Sequence, residues 1–164
     1  MRMIKIDLLK NYPHAVPAIA NIWYEVLGKI WMPEIEIKEI EALSYEELNQ
    51  EMPITYIALH GAAGIPVGAC TLELNSGIRP DLTPWIGDLV VDTKYQKQGI
   101  GKILLDTAVR KAHELGFQKI YLFTFDASIA SYYIRFGWEQ IGLDIFKSKP
   151  VILMEKCLLI TSVP

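Results

Sequence analysis

The feature that most constrains this chain is an apolar run, Trp85 to Val91, which leads through the polar turn Asp92 to Gln98 into Gly99 and Gly101, where a long helical pattern begins. A nearly continuous apolar strand needs burial on both faces, which predicts a sheet covered by helices and therefore an α/β domain around a mixed sheet. The start of a helix presents unpaired backbone N–H groups and a partial positive charge. Glycines spaced i and i+2 lack Cβ atoms, so an anion can approach that backbone. Lys94, Lys97 and Lys102 stand against Asp92 alone in this turn, making it locally positive in a chain whose formal net charge is −3. A pyrophosphate-type anion suits such a turn; a glycine-containing turn without a ligand is the alternative.

Two standard nucleotide readings fail on residues. A dinucleotide fingerprint requires a third small residue where Leu104 stands, and a phosphate loop requires Ser or Thr after Gly101-Lys102, where the chain has Ile103.

The flanking pattern supplies the rest of the domain. Met3 to Leu8 alternates as a strand, and Pro17 to Trp31 carries apolar residues at helical spacing. A second helix is predicted through Ile37, Ile40 and Leu43, extending past the Ser44 to Glu47 capping spacing to about Asn49. Ile54 to His60 and Val67 to Leu74 form a predicted hairpin with a loop too long for a two-residue turn. After the loop Asn75 to Pro84 come the strand Trp85 to Val91, a helix Gly99 to Leu115 stopped by Gly116, and a strand Lys119 to Phe125. A helix Ser128 to Phe136 ended by Gly137, and strands Trp138 to Phe146 and Val151 to Leu159, complete about seven strands and four helices.

The 164 residues, 51% hydrophobic and 21% charged, suffice for a single domain over 1–164 with a real core. A pI near 5.6 argues against nucleic acid as a partner. Cys70 and Cys157 lie in apolar runs and read as two buried free thiols. His14, His60 and His113 lack metal-ligand spacing, so no metal is expected. The alternating N-terminus Met1 to Asp7 lacks a signal-peptide core, and no apolar segment approaches a membrane span, so a cytoplasmic protein without a membrane partner is expected.

Gln96-x-x-Gly99-x-Gly101 after Leu89-Val90-Val91 resembles the acetyl-CoA motif of the GNAT superfamily of N-acetyltransferases. Tyr133-Ile134-Arg135-Phe136-Gly137-Trp138 is similar to that family's Tyr-x-x-x-Gly-Phe/Trp signature, and the element order fits its acyl-CoA N-acyltransferase fold. The resemblance implies that the backbone of Leu89, Val90 and Val91 pairs with the pantetheine arm, and that Gln96, Lys97, Gln98, Gly99, Ile100, Gly101 and Lys102 wrap the pyrophosphate. Asp126 stands where many members carry Asn as a pantetheine contact; its other reading is a helix N-terminal residue. Tyr133 is implied as the acid that protonates the departing CoA thiolate, a phenol of pKa near 10 being able to do so.

Many members place the general base at positions matching Trp85 or Gly87, and neither can take a proton. Strand alternation turns Asp88 to the other face. Glu73, at the end of the preceding strand, is the remaining candidate base beside a water chain. Arg79 reads either as a contact to an acidic acceptor or as an exposed loop charge. The resemblance thus implies an acetyl-CoA-dependent N-acetyltransferase acting on a small-molecule or peptide amine by direct attack, with a homodimer left open. The alternative is a catalytically inactive acyl-CoA-binding module on the same fold.

Overall fold

The computed structural model describes residues 3–48 and 50–158. Seven strands form one sheet: β1 (Ile4–Leu8), β2 (Ile54–His60), β3 (Ile65–Glu73), β4 (Trp85–Val91), β5 (Lys119–Thr124), β6 (Glu139–Phe146) and β7 (Lys149–Cys157), in the order β1-β2-β3-β4-β5-β7-β6. The helices are α1 (Val16–Trp23), α2 (Ile37–Glu47), α3 (Ile100–Glu114) and α4 (Ala127–Ile134). Boundaries lie within one or two residues of the sequence expectation for most elements, while Asn49 and Leu159 lie outside the described residues.

The chain divides into two compact units, Met1–Leu72 with Asp88–Ala108, and Glu73–Gly87 with Val109–Pro164. In the first, β1, β2 and β3 are successively antiparallel. Ile19 and Ile22 of α1 pack with Ile57, Leu59, Ala69 and Val90 from the strands, the sheet contribution being the residues that alternate inward. Gly68 is required where β3 meets β4, because a Cβ there would stand 2.8 Å from the Val90 carbonyl oxygen. The β2–β3 hairpin closes through Gly61 to Gly64, the Gly64 N–H donating to the Gly61 carbonyl at 3.1 Å.

In the second unit, β4 and β5 run parallel at Trp85↔Tyr121, and β7 pairs antiparallel with both β5 and β6. Trp85 is fully buried, 5.6 Å from the Tyr121 ring and 6.1 Å from Phe123. Both long-range helix ends are locally coded. Gly116 and Gly137 adopt positive φ, and the bonds Phe117 N–H to Ala112 O and Trp138 N–H to Tyr133 O close the helix ends as glycine caps.

Four expectations need correction. The pattern Pro17 to Trp31 is not one regular helix: α1 passes into a π-helical turn, Tyr24–Gly28, before a short α-helical end, Lys29–Trp31. Side-chain spacing at three and four residues cannot register one inserted residue. β4 is not buried throughout, because Asp88 interrupts it in a left-handed conformation, φ +52°, and is exposed. For the same reason strict alternation does not assign its face. Cys157, at the end of β7, is exposed, and only Cys70 is buried.

Candidate active site

The glycine turn is built from the strand outward. Asp92 N–H donates to Val67 O at 2.8 Å, fixing the end of β4 against β3. The Asp92 carboxylate then accepts the Lys94 N–H at 3.0 Å and starts the turn Thr93–Tyr95, whose Tyr95 ring packs 4.8 Å from His60. Gln96 folds back, its Nε2 donating to Val91 O at 2.9 Å. Lys97 and Gly99 both take positive φ, and the first bond into α3 runs from Ile103 N–H to Gly99 O at 3.2 Å. The N–H groups of Ile100 and Gly101 therefore precede the helical ladder and have no partner within it.

The two glycines have different causes. Gly99 has φ +83°, which disfavours a side chain whatever the space. Gly101 is ordinary helix, and a Cβ there would meet Val91 Cγ2 at a comfortable 3.7 Å, so nothing within the chain excludes a side chain. The Lys102 ammonium is held by Asp106 at 2.6 Å, leaving exposed Lys94 and Lys97 to set the positive character of the turn. A cavity of about 400 Å³ is lined by Asn21, Glu25 and Lys29 with Asp92 and Lys94; its charges are mixed, and no residue of the helix start lines it.

Sequence reasoning set Asp88 aside on strand alternation and did not foresee its partner. Trp23, the last residue of α1, donates its indole N–H to Asp88 Oδ1 at 2.8 Å. Gly28, in the π-helical turn that follows, leaves room for that indole, since a Cβ there would stand 2.8 Å from Tyr24 and 2.9 Å from Trp23 ring atoms. Asp88 is exposed as a residue, yet burial of its carboxyl pushes the pKa up, against the opposite pull of the indole. The group is thus recessed but reachable by solvent. Glu47, at the end of α2, is also pushed up, first by burial and second by the Asp88 charge. The carboxylate, the indole and the second carboxylate come from three elements, and the only sequence signal was an acidic residue inside an otherwise apolar strand.

The second unit holds the other predicted residues. Glu73 ends β3 and lies against Gly87, where a Cβ would come 3.0 Å from the Glu73 Cδ. The side chain that position 87 lacks is thus replaced by a carboxylate from the neighbouring segment. Tyr133 sits on α4, 8% exposed, with its ring 5.8 Å from Trp138 and 5.7 Å from Tyr132. Asp126 caps α4, its Oδ1 accepting the Ser128 N–H at 2.8 Å and hydroxyl at 2.7 Å, and these bonds lower its pKa. Arg79 is paired with Asp81 through two bonds, from Nε at 3.0 Å and from Nη2 at 2.8 Å, in an exposed loop contact.

Among the described residues no cluster of three or more His, Cys, Asp or Glu is arranged to hold a metal, and no helix is long and apolar enough to cross a membrane.

A model of the acetyltransferase (GNAT) family matches residues 17–138, a span that contains the glycine turn and the tyrosine signature. The chain belongs to that family. No curated protein sequence matches it. Solved structures with the same fold include a chimeric spermidine N-acetyltransferase from Vibrio cholerae and hSSAT, with 18% identity, TM-score 0.73, and 94% of this chain and 95% of that one covered. An aminoglycoside 6'-N-acetyltransferase complexed with coenzyme A is 19% identical with TM-score 0.71, covering 96% of this chain and 97% of the other. A ribosomal-protein-alanine N-acetyltransferase from Brucella melitensis is 15% identical with TM-score 0.72, covering 94% and 99%. These names span three kinds of amine, so the shared fold leaves the acceptor open.

Proposed function

We propose that this chain is an N-acetyltransferase that moves an acetyl group from acetyl-CoA to a primary amine, small-molecule or peptide, by direct attack and without a covalent enzyme intermediate. The observation that carries the reading is the glycine turn: the N–H groups of Ile100 and Gly101 stand ahead of the helical ladder, and no contact within the chain requires position 101 to lack a side chain. A pyrophosphate fits that chemistry. Leu89, Val90 and Val91 supply strand backbone to the pantetheine arm, while Gln96, Lys97, Gln98 and Gly99 complete the wrap. Asp126, ionised and with one oxygen occupied as the helix cap, keeps Oδ2 to accept a pantetheine amide N–H.

Acetyl-CoA brings the activated thioester. The chain must take a proton from the attacking amine and stabilise the thiolate as the C–S bond breaks. Tyr133 supplies the second function as the proton donor. Glu73 supplies the first, because Gly87 leaves room for its carboxylate beside β4. A second reading assigns the proton to Asp88, whose carboxylate the Trp23 bond orients: burial raises its pKa against the pull of that bond, and a carboxylate of higher pKa is a stronger base. Either suits a low-pKa amine, since about 10% of an α-amino group but only about 0.04% of a lysine amine is free at pH 7.

The test is thermal melting with acetyl-CoA and with CoA, followed by CoA thiol release across a panel of α-amines, diamines and amino sugars. A ligand-induced rise in Tm with release on at least one amine is expected. Binding without release on any amine would favour the inactive acyl-CoA-binding module, and no rise at all would remove the cofactor reading.

A further inference from the structure

The helix that carries Tyr133 is held at its two ends by residues of different origin. Its start is capped locally, by Asp126. Its end has no such local cation: α4 carries no basic residue in its last turn, and Arg135, just beyond it, turns its guanidinium over the Tyr132 ring, 5.6 Å from the centroid. The cation at that end comes from the sheet. Lys156 of β7 lies in one row with Met154 and Leu158, both buried, so strand alternation turns it inward, and it is half-buried. Its Nζ donates to the Phe136 carbonyl oxygen at 2.5 Å, across 20 residues of sequence.

Three further observations tie this contact to Tyr133. Among the described residues no carboxylate pairs with Lys156, whereas its neighbour Glu155 pairs with Lys119 at 2.6 Å, so the ammonium is compensated by the negative end of α4. Gly137 leaves room for it, since a Cβ there would stand 3.2 Å from Nζ. The turn that Lys156 grips also closes on Tyr133 itself: the Phe136 and Trp138 N–H groups both donate to the Tyr133 carbonyl, at 2.9 and 3.3 Å. We propose that Lys156 is a positioning residue for Tyr133, clamping the turn Tyr133–Trp138 to β7 and so fixing where the phenol hydroxyl stands. The inference rests on the reading of Tyr133 as the proton donor. Because Lys156 pairs with Ile120 of β5, the clamp refers the phenol to the sheet and not to the helix alone.

The test compares Lys156→Met, Tyr133→Phe and the double variant in the full chain. Methionine matches the length of the lysine stem and joins an apolar row, so the fold is expected to hold, checked by circular dichroism and Tm; Lys156→Gln takes its place if Tm falls. Lys156→Met should lower kcat roughly tenfold with the KM for acetyl-CoA unchanged, and the double variant should be no slower than Tyr133→Phe alone. With tyrosine labelled at Cζ, the Tyr133 resonance, assigned by its loss in Tyr133→Phe, should shift in Lys156→Met while those of Tyr12 and Tyr45 stay. A wild-type kcat in Lys156→Met, losses that multiply in the double variant, or an unmoved Tyr133 resonance would each overturn the proposal. Full activity of Tyr133→Phe would instead sink the proton-donor reading, and the catalytic role of Lys156 with it, even where the resonance moves.

Discussion

The indole N–H of Trp23 donates to the carboxylate of Asp88 across 65 residues of sequence, at 2.8 Å, joining the end of α1 to the one left-handed residue in β4. The bond favours the ionised carboxylate while burial disfavours it, and burial is the larger effect.

Trp23→Phe removes the donor and keeps a ring, so the Asp88 pKa should rise further. If Asp88 takes the amine proton, the acidic limb of kcat/KM moves to higher pH; carboxyl titration by nuclear magnetic resonance reads the same shift without activity. A titration shift with an unmoved rate profile would keep the Trp23 contact and reject Asp88 as base.

Asp88 also links to stability. Its folded pKa lies above the unfolded value, so its contribution is present below the unfolded pKa, about 3.9, and lost as pH rises through the folded one. Asp88→Asn keeps an acceptor for Trp23 and cannot ionise. Its Tm should exceed wild type by about 1–2 °C at pH 8, the exposed position limiting the gain, and the difference should close toward pH 4.

Glu73→Gln should lower kcat by about 100-fold if Glu73 is the base, with a larger loss on high-pKa amines than on α-amines. Gly87→Ala should act in the same direction, because the new methyl displaces the Glu73 carboxylate. Steady-state rates at fixed pH decide between this reading and Asp88.

Gly101→Ala separates ligand binding from folding. The unliganded protein should gain about 0.5–1 kcal/mol, as for glycine replacement within a helix, while the Tm rise with acetyl-CoA shrinks. Gly99→Ala, at φ +83°, should instead destabilise the unliganded protein. An unchanged ligand-induced rise in Gly101→Ala would show that no phosphate approaches the backbone at that position.

Tyr133→Phe retains a buried ring beside Trp138 and removes the hydroxyl. The Tm rise with acetyl-CoA should persist while kcat falls about 100-fold, measured by thiol release. Equal loss of binding and turnover would make Tyr133 a packing residue of α4.

The parts readable from sequence are those that local chemistry determines. Gly116 and Gly137 end α3 and α4 because each must take a positive φ that other residues resist, and Asp126 begins α4 because its short carboxylate reaches the Ser128 N–H. The glycine turn is readable for the same reason, since Gly99 and Gly101 are cues carried within a few residues of the backbone they shape. Asp88 was not readable: alternation assumes a regular strand, and a single left-handed residue breaks it. Nor could the sequence show that Arg79 pairs with Asp81, that Glu73 lies over Gly87, or that Trp23 reaches Asp88 from the end of α1. Periodicity and capping report which backbone a segment prefers, whereas partners distant in the chain, and the burial that shifts a carboxyl pKa, exist only once packing has brought separate elements together.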